Sequence, residues 1–193
     1  MEDKHTAGLA VEVTAENWSG RLTVRSALDG GVINGGVARY RDLASRHLET
    51  MQTEHSEEDI ILIRSRFVQA RLDVAIAART RLYVAGEELR GQGTESRTER
   101  GTGRRTECLA DGAVQDIEID VASGGAVAIE KIAALFTSAD KAASEAGLEA
   151  VEQLTRAPPP ASAGCSGRTG APGSACGASA TSTSARRTRS RPR

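Results

Sequence analysis

Apolar residues recur with period two in several separated runs. Leu9, Val11 and Val13 alternate with Ala10, Glu12 and Thr14, and Leu22 and Val24 alternate with Thr23 and Arg25. This is the period of a strand with one face on a core and the other in water. Glu16-Asn17-Trp18-Ser19-Gly20 lies between the two runs and is rich in turn formers, so the pair predicts a hairpin with Trp18 at its bend, ended by Asp29-Gly30-Gly31. Farther on, the continuous apolar run Ile60 to Ile63 leads into Arg64-Ser65-Arg66-Phe67-Val68, and Leu72, Val74, Ile76 and Ala78 alternate with Asp73, Ala75 and Ala77. These predict two strands joined near Gln69-Ala70, with Arg81 to Val84 continuing or pairing with that sheet until Ala85-Gly86 breaks it. Ile117, Ile119 and Val121 alternate with Glu118, Asp120 and Ala122, Ser123-Gly124-Gly125 turns the chain, and Val127, Ile129 and Lys131 resume the pattern. By local pattern this is the cleanest hairpin in the chain.

Helical signals come late. Ser138-Ala139-Asp140-Lys141 predicts the cap of a short helix over Ala142 to Ala146, and Leu148, Val151 and Leu154 share one side of a second helical stretch that Pro158-Pro159-Pro160 stops. Many short strands with turns between them and a helix only at the end predict a mainly β fold, an antiparallel β-sandwich with a short C-terminal helix. Its inward set comprises Leu9, Val11, Val13, Leu22, Val24, Leu72, Val74, Ile76, Ile117, Ile119 and Val121.

Two stretches contradict a compact fold. Gly91 to Arg105 has no large apolar side chain and reads as a solvated loop that leaves Cys108 in a charged loop. From Pro158 to Arg193 there is no Val, Ile, Leu, Met, Phe, Trp or Tyr. Such a chain cannot offset an ordering cost of about 1 to 2 kcal/mol per residue, so 1–157 is expected to be the folded domain and 158–193 a disordered tail. The net charge of -1 hides the same division: residues 1–157 carry 19 basic and 26 acidic groups, and the tail carries only arginines, Arg168, Arg186, Arg187, Arg189, Arg191 and Arg193.

That arginine-rich end is a weak nucleic-acid signal without aromatic or helical patterning, and no nucleic-acid partner is expected. No apolar run reaches about 18 residues and the start lacks the core of a secretory signal, which predicts a cytoplasmic chain with no membrane partner. The cysteines, Cys108, Cys165 and Cys176, are odd in number and lack a zinc-site spacing, and His5, His47 and His55 lack one too; no metal or cofactor is expected. His47 and His55 are read as flanking a polar loop.

Three segments, VEVTAENWSGRLTVRSALDGGVINGGVARYRDLASRHL at Val11 to Leu48, LDVAIAARTRLYV at Leu72 to Val84 and IEKIAALFTSAD at Ile129 to Asp140, resemble the N-terminal domain of glycoside hydrolase family 65. That family holds trehalose, kojibiose and maltose phosphorylases and trehalose hydrolases. The resemblance covers most of residues 8–157 and implies a β-sandwich, in agreement with the strand pattern. It also implies a partner, the catalytic (α/α) barrel that follows the sandwich in the family and carries the general acid, with an α-glucosyl disaccharide such as trehalose as substrate of the intact enzyme. Neither the opening strands nor the barrel of the family is matched here. The expectation is therefore a truncated, non-catalytic N-terminal domain whose tail follows a shifted reading frame, inactive alone and prone to aggregate through uncovered edges. The alternative is a free-standing carbohydrate-binding or scaffold module that complements a separate catalytic chain.

Inverting glycoside cleavage needs an acid poised over the leaving oxygen and an acceptor on the opposite face. Glu12, Asp73, Glu118 and Asp120 fall on the polar phase of their strands and read as solvated groups, and Glu130 is no better placed, so no catalytic pair is assigned. Gly101-Thr102-Gly103 lacks the strand and helix a phosphate loop requires. The motif singled out is Asn17-Trp18: an apolar ring face and an amide for a sugar or a neighbouring domain, against the plainer role of a turn whose Trp caps the sandwich. Asn34-Gly35-Gly36 and Arg39-Tyr40-Arg41 present the same choice.

Overall fold

A computed structural model describes residues 4–33, 46–56, 59–89, 103–140 and 145–156. The elements are β1 (Thr6–Thr14), β2 (Gly20–Asp29), β3 (Leu48–His55), β4 (Ile60–Phe67), β5 (Asp73–Val84), β6 (Glu87–Glu88), β7 (Gly103–Leu109), β8 (Gly112–Val121), β9 (Ala126–Thr137) and α1 (Ala146–Arg156). They form two antiparallel sheets. The larger runs β1-β9-β5-β4-β3, with β6 paired to β5, and the smaller runs β2-β8-β7. The mainly β sandwich with a C-terminal helix is thus the architecture observed.

Three layers result, because α1 covers the outer face of the larger sheet while the smaller sheet covers its inner face. Central strand β5 is therefore buried on both sides. Ala75 and Ala77 join Ile60, Leu62 and Ala134 beneath Ala150 and Leu154 of the helix. Leu82 of β5 joins Val127, Ile117, Ile119, Val121 and Ala15 between the sheets. The helix-side positions are alanines because a small side chain lets the helix approach, and Gly147 serves the same end: a Cβ there would meet the Arg64 guanidinium carbon at 2.7 Å.

The junction of β4 and β5 is a true hairpin, with Ile63 opposite Ile76, and Phe67 donates to the Leu72 carbonyl at 2.9 Å around the turn. The other two expected hairpins do not form. β1 pairs with β9, Val11 opposite Ile129, and β2 pairs with β8, Val24 opposite Ile117. Each of the turns Ala15–Ser19 and Ala122–Gly125 therefore carries the chain from one sheet to the other. The two turns lie side by side: Ala15 donates to the Gly125 carbonyl at 2.9 Å, and Gly124 donates to the Ala15 carbonyl at 2.7 Å. Each strand of one crossing pairs with a strand of the other, so backbone groups that find no partner within one crossing are matched by the neighbouring crossing.

Four further expectations are corrected. β3 fills the stretch between His47 and His55 that reads as polar loop, and β7 begins inside the stretch read as solvated, placing Cys108 on a strand. Both are outer strands, where a solvent-facing side removes the apolar signal that marks a buried strand. Leu9 and Val11 are 61% and 43% exposed, because β1 extends past the edge of the smaller sheet. Of the helix side marked by Leu148, Val151 and Leu154, Leu154 is buried with Gly147 and Ala150 and Val151 packs against them, but Leu148 is 59% exposed. The predicted tail, Asn34-Gly35-Gly36, Arg39-Tyr40-Arg41, Cys165, Cys176, the loop through Thr102 and most of the first predicted helix lie outside the described residues.

Candidate functional site

Asn17 and Trp18 stand on the crossing from β1 to β2, both exposed. Trp18 keeps 38% of its surface accessible. Beneath them the backbone is fixed: Ala15 is fully buried, and Ser123 donates through Oγ to the Glu16 carbonyl at 3.3 Å. Gly124, at φ 80°, sits in the left-handed region that admits glycine without strain and brings its N–H to Ala15. This end of the sandwich thus presents an exposed indole on a hydrogen-bonded turn.

The carboxylates expected to be solvated lie on outer faces. Glu118 and Asp120 share Arg21, each at 3.3 Å. Asp73 accepts two bonds from Arg66, at 2.6 and 3.1 Å, and that hydrogen bonding holds its carboxyl below the usual range. Glu12 is exposed on β1. Glu130 differs from the others: it is buried and accepts a bond from Tyr83 Oη at 3.2 Å. Burial raises the Tyr83 phenol first, and Arg81 opposes that shift. Glu130 thus belongs to a packed network with Tyr83.

Alternation gave no sign of two other polar groupings. The first is interior. Arg104 of β7 donates to the Thr80 carbonyl at 3.0 Å and stands 3.5 Å from Asp59 Oδ1, while fully buried Gln115 donates to the Asp59 carbonyl at 2.9 Å. Desolvation pushes the Asp59 carboxyl up, against the pull of Arg104, and lowers the Arg104 guanidinium. The second lines a cleft of about 340 Å³ near the start of α1, with Met51, Arg64, Arg66, Asp73, Ser138 and Glu145 among its walls. Arg64 pairs with Glu145 and Arg66 with Asp73 there, so the charges answer one another. His5 stacks on Phe136 with ring centroids 4.1 Å apart, and His55 Nδ1 lies 3.7 Å from Cys108 Sγ. Burial raises the Cys108 thiol, which disfavours the thiolate a nucleophile would need. Among the described residues no group of His, Cys, Asp and Glu could hold a metal, and no helix is long and apolar enough to cross a membrane.

The geometry defines a β-sandwich domain with the exposed Asn17-Trp18 crossing at one end. Residues 1–161 match the family described as glycosyl hydrolase family 65, N-terminal domain, and the chain belongs to that family. It is 35% identical over 157 residues to an uncharacterized glycosyl hydrolase of Mycobacterium tuberculosis, with the same figures in strains CDC 1551 / Oshkosh and ATCC 25618 / H37Rv. The alignment takes in 81% of this chain and 11% of those proteins. A solved structure from the human microbiome, described as a candidate kojibiose phosphorylase, shares the fold with a TM-score of 0.56 at 8% identity, over 78% of this chain and 17% of that one.

Proposed function

We propose that the chain acts as a non-catalytic N-terminal domain of a family 65 glycoside hydrolase or phosphorylase, packing against a catalytic (α/α) barrel that cleaves an α-glucosyl disaccharide such as trehalose. The observation that carries this reading is the family match over residues 1–161 in a chain spanning only 11% of its curated relatives, which leaves most of their length to other domains. Asn17 and Trp18 are the residues proposed to meet the barrel or the rim of its sugar site, since the crossing that holds them is both exposed and fixed by hydrogen bonds. Four of the five carboxylates weighed from the sequence, Asp73, Glu118, Asp120 and Glu130, are each tied to a neighbour, which supports the non-catalytic reading because an acid catalyst needs a proton free to transfer and an open face for the substrate. The cytoplasm is the proposed location.

The purified chain, incubated with trehalose, maltose or kojibiose with and without inorganic phosphate, should release neither glucose nor glucose 1-phosphate above a boiled control. Release abolished by Glu130→Gln would overturn the proposal. Product that appears only when a separately expressed family 65 barrel is added would favour the alternative, a scaffold module that complements a separate catalytic chain, and Trp18→Ala should then weaken that complementation. Sugar binding by the chain without a barrel would favour a free-standing carbohydrate module instead.

A further inference from the structure

The two sheets end differently. At β2, one of the two outer strands of the smaller sheet, Lys131 reaches across from β9 and donates through Nζ to the Ala27 carbonyl at 2.7 Å. At β1, one of the two outer strands of the larger sheet, nothing comparable is found among the described residues. β1 pairs with β9 on one side only, and it runs nine residues, or roughly 30 Å at strand rise, with Glu12 its single charged side chain. Leu9 and Val11 are exposed beside this edge. A long, flat, apolar edge is a template for another strand, and proteins normally protect one with lysines, prolines or a bulge.

The register with β9 shows which groups face outward. Leu135 donates to the His5 carbonyl at 2.9 Å and Ala15 donates to Gly125, so the odd residues of β1 turn their backbone groups to β9. In an antiparallel ladder the N–H and C=O of one residue point the same way, which leaves Thr6, Gly8, Ala10 and Glu12 directed away from β9, at an edge that no described strand pairs. We infer that β1 is a self-association edge: it pairs antiparallel with β1 of a second copy about a two-fold axis at Gly8. That register sets Gly8 opposite the partner copy's Gly8 and Thr6 opposite its Ala10, with the outward backbone groups of both strands in phase. It also sets Lys4, exposed just before the strand, opposite Glu12, and does so twice by symmetry. Registers centred on Leu9 or Ala10 satisfy the same backbone phase but place Glu12 opposite Thr6 or Gly8, so charge complementarity selects Gly8. The backbone there has room for close approach, since a Cβ added to Gly8 would meet no atom within 4 Å. On the other face, Leu9 meets the partner copy's Ala7.

Sedimentation velocity on the full chain over a micromolar concentration series tests the pairing. A monomer–dimer equilibrium is expected, and Lys4→Glu or Glu12→Lys should each weaken it about tenfold, since cross-strand charge pairs turn from attractive to repulsive at both ends. Mixing the two variants, or combining both changes in one chain, should restore it. As a second measurement, Gly8→Cys in a chain whose other cysteines are replaced by serine should form a disulfide dimer on mild oxidation, because directly opposed residues lie about 5.5 Å apart at Cα. A chain that stays monomeric throughout, a dimer indifferent to both charge reversals, association that continues past the dimer, or no Gly8→Cys cross-link would each overturn the inference.

Discussion

Replacing Leu154 by alanine tests the three-layer arrangement at its outer contact. Leu154 is 0% exposed and sits among Ile60, Leu62, Ala75, Ala77, Ala134 and Ala150. Its carbonyl accepts a bond from Arg79 Nη2 at 2.5 Å, which a side-chain change leaves in place. The facing alanines of β5 and β9 have no rotamers with which to fill the gap, so little collapse is available to the site. A buried Leu→Ala change costs about 2 to 5 kcal/mol according to how well the cavity closes, and a stiff alanine floor argues for about 3. Set against a total domain stability of about 5 to 15 kcal/mol, that is a large loss, and at a urea slope of about 2 kcal/mol/M it moves the midpoint by about 1.5 M. The control is Leu148→Ala, which removes the same atoms from a side chain 59% exposed on the same helix and should shift the midpoint by less than about 0.3 M. Equilibrium urea unfolding followed by circular dichroism measures both. Equal losses for the two variants, or a Leu154→Ala loss below about 1 kcal/mol, would refute the packing of α1 on the larger sheet.

Three other outcomes are expected. Gly124→Ala forces a Cβ into the left-handed region beside the bond to Ala15 and should lower stability by about 1 to 2 kcal/mol in thermal unfolding, whereas Gly103→Ala, an extended position with open space, should cost less. Asp116 and Asp73 are held below the ordinary carboxylate range by hydrogen bonds from Arg25 and Arg66. Their stabilisation is therefore present above the unfolded carboxylate value near 4 and disappears as pH falls through the folded values. Asp116→Asn should accordingly be less stable than the parent at pH 7, with the gap closing as the pH is taken below about 4 in denaturant titrations; a gap that persists in acid would refute this assignment. Trp18→Ala should lower the unfolding midpoint by less than Leu154→Ala does, since the indole keeps 38% of its surface in water, and a loss as large as that of Leu154→Ala would assign Trp18 to the core.

The strands were legible in the sequence wherever one face is buried and the other wet. Val74, Ile117, Ile119 and Val121 lie inside as their alternation predicts, and the β4–β5 junction closes as a local hairpin. The family was legible as well, from three segments that recur in order. Alternation fixes the face a side chain takes but carries no information about the partner strand. A hairpin and a crossing between sheets are both written as strand, short turn, strand, and only long-range pairing of β1 with β9 and β2 with β8 separates them. The same limit hid β3 and β7, whose outer positions leave little apolar signal, and misplaced Leu9 and Val11, whose inward phase outruns the smaller sheet that would cover it. It also decided the helix face: sequence groups Leu148 with Val151 and Leu154, but contact with an alanine surface selects Gly147, Ala150 and Leu154 and leaves Leu148 exposed. Asn17 and Trp18 could be picked out as a turn, and only the tertiary bonds to the neighbouring crossing made that turn a fixed, exposed rim. Sequence thus determined the family and the strands whose alternation is apolar on one face, while partner, cover and exposure came from contacts between residues about a hundred positions apart, which no local pattern encodes.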